Sequence, residues 1–446
     1  MSAITVAVLS IFALLVLVLS GVHIGFSLAA MSFVGIWMMT ANHVTAFSIL
    51  ATTSFEAIRD YSFAVIPLFV LMGCFMSRSG VARDLFDAAN YFLKKLPGGM
   101  GIATVISNAV FAAVTGVSVA SAAVFSRICL PEMDRFHYKK NFALGAVAGS
   151  SVLGMLIPPS LLMIVYGMLS ETSIGKLFVA GVVPGLVLAG IYCIGIIIMV
   201  TRRPELAGQR RNEHGKIMPV KVDSDKNESF LKVFFRALPI FGVVVLVLGG
   251  IWGGLFTPTE ASAVGALACC ILSICKGMRL QELKSVLLES VGTTASILFL
   301  LITAQMYSRM LAVSGITVLL GNAIVNSGLT SGWVLLIVCL VLIALGCVLD
   351  STSILLLTVP LILPIADAFG WDRIWLGIVM IIVVEMGLLT PPFGMVVFSM
   401  KATVDDDSVS VESIFRGAMP FLFMMVIAVL LVIFFPSLAT WLPSLQ

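Results

Sequence analysis

The chain has 446 residues, 60% of them hydrophobic and 11% charged, with a net charge of +3. Soluble domains carry about 25% charged residues. This composition, with a mean hydropathy of +1.13, therefore excludes an ordinary soluble fold and predicts an all-α polytopic protein seated in a lipid bilayer. The small, dispersed positive charge offers no footprint for nucleic acid.

A helix needs ~20 apolar residues to cross the bilayer core. Segments 3–20, 24–40, 62–77, 177–200, 237–256, 259–275, 291–313 and 417–436 are apolar and long enough to serve as spans. The first lies in "MSAITVAVLSIFALLVLVLSG", which lacks the basic leader of a cleaved signal peptide and reads as a retained helix. Segments 41–61 and 276–290 are amphipathic. They are either arms lying in the interface and bracing a fixed frame, or ordinary loops. Segments 98–127 and 332–362 are apolar but carry "TGVSVASAA" and "GCVLDSTS" near their middles. Segments 141–170 and 374–401 are each interrupted by Pro-Pro. The stretch 202–236 is soluble, with nine Lys/Arg and five Asp/Glu, and divides the chain into a first part, 1–201, and a second, 237–446.

The two parts resemble each other at an offset of 233 residues. Leu130/Leu363, Pro131/Pro364, Asp134/Asp367, Phe136/Phe369, Gly154/Gly387, Leu156/Leu389, Pro158/Pro391 and Pro159/Pro392 all keep it. The order also repeats: span, Gly/Ser-rich segment, Leu-Pro linker, Gly-x-x-x-Pro-Pro break, final span. Lys and Arg set orientation. The basic loops at Lys94–Lys95, Arg127–Lys140, 202–236 and Lys276–Lys284 fall on the cytoplasmic face only if 98–127 and 332–362 are re-entrant hairpins. Each part then crosses an odd number of times, so the prediction is two inverted repeats with helical hairpins and Pro-Pro-broken helices.

Proline has no N–H, so Pro158 leaves the carbonyl of Gly154 without its helical donor, and Pro391 does the same to Gly387. Glycine lets a ligand approach the backbone closely. The hydroxyl-bearing tips at 115–121 and 349–353 facing those breaks would form oxygen cages suited to a hard monovalent cation such as Na⁺. Half-helix N-termini at the same place can receive a carboxylate. The competing reading is a plain kink satisfied by neighbouring Ser and Thr. Glu385, an acid inside an apolar run, is a functional candidate or a hydrogen-bonded packing residue. Asp350 is an ion ligand, a substrate contact or a helix cap. Arg309 either snorkels to the interface or meets an anionic substrate. The eight Cys and four His show no metal-ligand spacing. No phosphate-binding loop, Ser-His-Asp set or H-E-x-x-H motif is present, so neither an organic cofactor nor an enzyme activity is expected.

The segments "AVTGVSVASAAVFSRICLPEMDR" and "LGMLIPPSLLMIVYG" resemble the large membrane subunit of tripartite ATP-independent periplasmic (TRAP) transporters. "GCVLDSTSILLLTVPLILPIADAFGWD" followed by "VEMGLLTPPFGMVVF" resembles the second half of the same family. The resemblance implies an elevator-type secondary transporter in the bacterial inner membrane, driven by Na⁺. The resemblance also implies a small four-helix membrane subunit and a periplasmic substrate-binding protein that delivers a small carboxylate solute. The chain begins directly with the large subunit, so the small one is expected to be separate. By motif, one Na⁺ site would use Ser118, Ser121, Gly154, Ile157 and Pro159, and a second Gly346, Ser351, Gly387, Thr390 and Phe393. Ser351, Thr352 and Ser353 would contact substrate between the hairpin tips. The alternatives are a stand-alone dicarboxylate or anion symporter, a channel, or a membrane-embedded enzyme.

Overall fold

The computed structural model describes residues 2–211, 217–218, 230–326, 328–404, 406 and 409–445. Residues 212–216 and 219–229 of the soluble stretch 202–236 therefore lie outside the described residues. In the first part of the chain α1 (Ala3–Leu19), α2 (Ile24–Thr40), α3 (His43–Arg59), α4 (Val65–Arg78) and α5 (Val81–Leu93) lead to α6 (Gly99–Thr115) and α7 (Ser118–Arg135). A broken element follows, α8 (Lys140–Ser151), α9 (Leu153–Leu156) and α10 (Leu161–Ser170), and then α11 (Ile174–Arg202). A two-residue strand pair, Arg210–Arg211 with Ile217–Met218, follows α11. In the second part α12 (Phe230–Val244), a π-turn, the short α13 (Gly250–Trp252), α14 (Pro258–Cys275), α15 (Leu280–Ser314) and α16 (Ile316–Asn326) lead to α17 (Ser331–Gly346) and α18 (Ser351–Phe369). The second broken element is α19 (Arg373–Gly387) and α20 (Met395–Thr403), followed by α21 (Val411–Phe434) and the short α22 (Ser437–Thr440).

Local chemistry explains several boundaries. Asn42 starts α3 by accepting from the Val44 and Thr45 amides at 2.9 and 3.2 Å. Thr257 and Glu260 cap the start of α14 reciprocally, with Pro258 at its first position. Gly116, at φ +63°, ends α6 in the left-handed conformation and turns the chain into α7. Asp350 accepts from the Ser353 amide at 3.0 Å and starts α18.

Several expectations change. The stretch 276–290 is not a separate arm: with no proline to stop it, α15 runs unbroken from Leu280 to Ser314 through both arm and span. Arm 41–61 does end, because Asp60 caps a new turn at Ser62 (2.8 Å) before α4 begins. The Leu-Pro pairs are not linkers. Pro131 lies inside α7, and Pro360 and Pro364 lie inside α18. The span drawn at 237–256 starts earlier, at Phe230. Two short helices, α5 and α16, occupy stretches to which no element was assigned.

Eight helical segments among the described residues are long and apolar enough to cross a membrane. In an apolar 18-residue stretch of Lys140–Ser170, 78% is buried by protein, and in one of Ser351–Phe369 61%, against 33% in one of Ile174–Arg202. That difference is what a broken helix needs, since interrupted backbone survives at membrane depth only where protein or an aqueous cavity shields it. Helices α1 to α4 pack with α14 and α15, while α6 to α11 pack with α17 to α21. The groups meet where α4 touches α6, α7 and α10 and where α15 touches α18. Element starts repeat: Ser118 of α7 and Ser351 of α18 are 351 − 118 = 233 apart, and Lys140 of α8 and Arg373 of α19 are 373 − 140 = 233 apart.

The tightest crossing joins α8 to α21. A Cβ on Gly145 would lie 1.9 Å from the Gly417 carbonyl oxygen, and one on Gly417 would lie 2.0 Å from that of Asn141. Such backbone-to-backbone approach is how helices associate in lipid, where no hydrophobic force separates them from their surroundings. Gly417→Ala is therefore expected to destabilise by about 1–3 kcal/mol, read as a lower melting temperature of the detergent-solubilised protein. An unchanged melting temperature would contradict this crossing.

Candidate functional site: the junction of two helix turns and two broken helices

The turn between α6 and α7 sits in the first break. A Cβ on Gly116 would lie 2.7 Å from the Pro159 carbonyl oxygen, and the Leu161 amide donates to the Gly116 carbonyl at 3.3 Å. Gly154 lies against the start of α7, where a Cβ would be 3.0 Å from the Ser118 nitrogen. Around it the Ile157 amide donates to Leu153 at 2.9 Å, and the Ser160 hydroxyl to Met155. The Ser121 hydroxyl, one turn further along α7, is fully buried with no partner. Ser118, Gly154 and Pro159 thus meet at one junction, with Ser121 one helical turn along α7 from it. Ile157 packs on Gly185 of α11, and its own backbone is extended.

The second junction is built differently. Gly346 and Gly387 lie back to back, so that a Cβ on either would be 2.6 Å from the other's Cα. The Gly387 carbonyl is not left without a donor: the Thr390 amide reaches it at 3.0 Å. Pro391 removes the usual donor four residues on, and the chain tightens to use the one three residues on. A carbonyl oxygen has two lone pairs, so this bond leaves capacity for a cation. The Thr390 hydroxyl donates to Met386 at 2.8 Å. The side chain of Phe393 is 56% exposed and stands outside the cluster. Both Pro-Pro peptide bonds are cis.

Glu385 connects the junctions. It lies in α19 with 0% exposure and is the one charged side chain among the buried described residues. Its Oε2 accepts from the Ser118 hydroxyl at 2.5 Å and its Oε1 from the Ser351 hydroxyl at 3.0 Å. These serines are the first residues of α7 and α18, so the positive ends of two helices meet one carboxylate. Tyr192 of α11, whose hydroxyl is buried without a partner, lies within electrostatic reach of the same group.

The remaining predicted residues separate by role. Asp350 is a helix cap, accepting from the Ser353 amide and hydroxyl. That leaves Ser353 engaged within its own turn and Ser351 engaged with Glu385. Thr352 is 8% exposed. Arg309 is on an exposed face of α15, away from the buried junction. Two larger cavities, of about 330 and 410 Å³, lie elsewhere, at the ends of α7 and α8 and beside α11 and α21, and contain none of the predicted residues. The role of Glu385 as a bridge was not readable from its neighbours in sequence. Asn108 was missed as well: its Nδ2 donates to Ser150 at 2.9 Å while its Oδ1 is buried without a partner. The signal for it was an amide inside an apolar segment.

Residues 11–438 match the family described as "Tripartite ATP-independent periplasmic transporter, DctM component". The chain belongs to this DctM family. It is a multi-pass transporter permease and not an enzyme. It is 36% identical to the C4-dicarboxylate TRAP transporter large permease protein DctM of Pseudomonas aeruginosa, over 89% of each chain. It is 29% identical to the sialic acid TRAP transporter large permease protein SiaM of Vibrio cholerae, over 98% of each. Among solved structures it is similar to the Alcanivorax borkumensis YdaH transporter, with a TM-score of 0.56 at 12% identity over 89% of each chain. That likeness concerns the fold. For a DctM-family chain the geometry assigns Asp350 to capping, which gives a direct check. Asp350→Asn keeps a side-chain acceptor and is expected to retain stability, whereas Asp350→Ala should lose about 1 kcal/mol in thermal unfolding. Equal loss in both variants would point to a role for the charge.

Proposed function

We propose that this chain is the large permease of a Na⁺-coupled importer in the bacterial inner membrane, taking a carboxylate-bearing solute delivered by a periplasmic binding protein. The observation that carries this reading is the convergence of Ser118 and Ser351, the starting residues of two helices at equivalent offsets, beside two Gly-x-x-x-Pro-Pro breaks. Hydroxyl and carbonyl oxygens in glycine-lined cradles suit a hard, weakly charged cation. The buried, unpartnered Ser121 hydroxyl fits such an ion at the first junction. Ser118, Ser121, Gly154, Ile157 and Pro159 would hold one ion, and Gly346, Ser351, Gly387, Thr390 and Phe393 the other, several through their carbonyls.

The repeated 233-residue spacing of helix starts supports two repeats, and the placement of the basic loops supports their opposite orientation, with α6–α7 and α17–α18 as the re-entrant hairpins. The grouping of helices supports an elevator: α1 to α4, α14 and α15 as frame, and the hairpins with the broken helices as the moving unit. The contact between them is narrow at α4, where a Cβ on Gly73 would lie 2.8 Å from the Thr115 carbonyl oxygen and a cavity of about 20 Å³ separates the hairpin turn from Phe69 and Val70. Alternating access would carry substrate, held near Ser351 to Ser353, past this frame. The substrates for which these relatives are named, a C4-dicarboxylate and sialic acid, favour an organic acid. A small four-helix membrane subunit would complete the system.

Uptake into proteoliposomes tests this. Import is expected to require a Na⁺ gradient and the binding protein, and Ser118→Ala and Thr390→Ala should each raise the Na⁺ concentration for half-maximal uptake by on the order of 10-fold. Unchanged Na⁺ dependence in both variants would remove these assignments. Uptake by the permease without a binding protein would favour a stand-alone symporter.

A further inference from the structure

We infer that Glu385 is a positioning residue that makes the two ion sites act as one, an inference that rests on the Na⁺ reading above. The two junctions lie in different parts of the chain, yet one carboxylate holds a residue of each. Ser118 donates to one oxygen at 2.5 Å and Ser351 to the other at 3.0 Å. Both serines are also the hydroxyls assigned to ions. A serine hydroxyl that donates to Glu385 keeps its lone pairs for a cation, so the carboxylate orients each oxygen toward its cage without occupying it. Any shift of Ser118 on ion binding moves the carboxylate, and the carboxylate moves Ser351. The link is short because Glu385 stands two residues before Gly387, whose backbone lies against Gly346 in the second cage.

Three features argue against simple packing. The repeat-related position, 385 − 233 = 152, is Val152, a fully buried apolar residue, so the fold does not need an acid there. A buried carboxylate without a cationic partner is costly, and among the described ion pairs none includes Glu385. The groups bonded to it are Ser118 of α7 and Ser351 of α18, with Tyr192 of α11 near enough to feel its charge, so it holds the first residue of the second helix in each hairpin. Single-site binding would not need one group spanning both hairpins, whereas coupling does.

The test measures Na⁺-dependent thermal stabilisation of the full chain in lipid nanodiscs, with KCl keeping total salt constant. The wild-type curve is expected to be cooperative, with a Hill coefficient approaching 2, the number of sites. Glu385→Gln, which cannot accept from both serines through carboxylate oxygens, should bring the coefficient toward about 1 and raise the half-saturating concentration about 10-fold. Glu385→Asp, too short to span both serines, provides a second variant and should move both quantities in the same direction. A lower melting temperature at every Na⁺ concentration with unchanged steepness would reduce Glu385 to a structural role and overturn the coupling. Absence of any Na⁺-specific stabilisation in the wild type would instead overturn the ion reading itself, and the coupling with it.

Discussion

The structure turns on one buried carboxylate. Glu385 has no access to solvent, and an acid in that position must be answered by donors or it destabilises the fold by several kcal/mol. Ser118 and Ser351 answer it, and to do so α7 and α18 must begin within hydrogen-bond reach of α19. That requirement fixes both turns. Gly116 reverses α6 at a positive φ, and Asp350 caps α18, so the two turns reach the same acid by different local chemistry.

Close approach of backbone follows from the same requirement. With the starts of α7 and α18 held at α19, the breaks must accept the turns at distances that exclude a side chain. A Cβ would collide at Gly116 against Pro159 and at Gly346 against Gly387, and would be tightly pressed at Gly154 against Ser118. The breaks then need shielding. The burial of Lys140–Ser170, 78% over an apolar 18-residue stretch, supplies it for the first break, because α8 crosses α21 through Gly145 and Gly417 and is surrounded by protein instead of lipid.

Much of this was legible in the sequence, for identifiable reasons. Apolar runs show where helices lie, so α2 matched at both ends, Ile24 and Thr40, although at 17 residues it is shorter than the eight helices long enough to cross a membrane. The breaks were legible because Pro-Pro cannot continue a helix. Other features depend on contacts the local pattern does not encode. The arm at 276–290 merges into α15 because nothing in its composition stops a helix, although the amphipathic pattern changes there. Pro131 and Pro364 looked like linkers, yet both sit inside helices, where surrounding structure tolerates a missing donor. The short helix α5 carries its apolar face at Val81, Leu85 and Phe86, a periodicity obscured by the long apolar runs beside it. Glu385 stood out as an acid in an apolar stretch, but a partner 385 − 118 = 267 residues away leaves no trace in local spacing. Gly387 shows the opposite limit. The missing donor was read correctly from Pro391, but the substitute donor, Thr390, appears only once the turn is built.

The two parts of the chain are alike in outline and unlike in chemistry, and the differences fall at the junctions. Position by position, Ser121 stands opposite Ile354, Ile157 opposite Thr390, Gly346 opposite Ala113, Phe393 opposite Ser160, and Glu385 opposite Val152. The first junction has a buried hydroxyl without a partner; the second has a threonine hydroxyl already donating to Met386 and a glycine pair in contact. Two like halves that needed only mutual packing to stand would not require an acid on one side alone. Because Glu385 comes from the second part and binds a serine from each, the asymmetry gives the pair of junctions a single shared element. Two symmetric acids would place like charges at the centre of the bundle, where repulsion is weakly screened. One acid, held by two serines and the starts of two helices, joins the two parts without that repulsion.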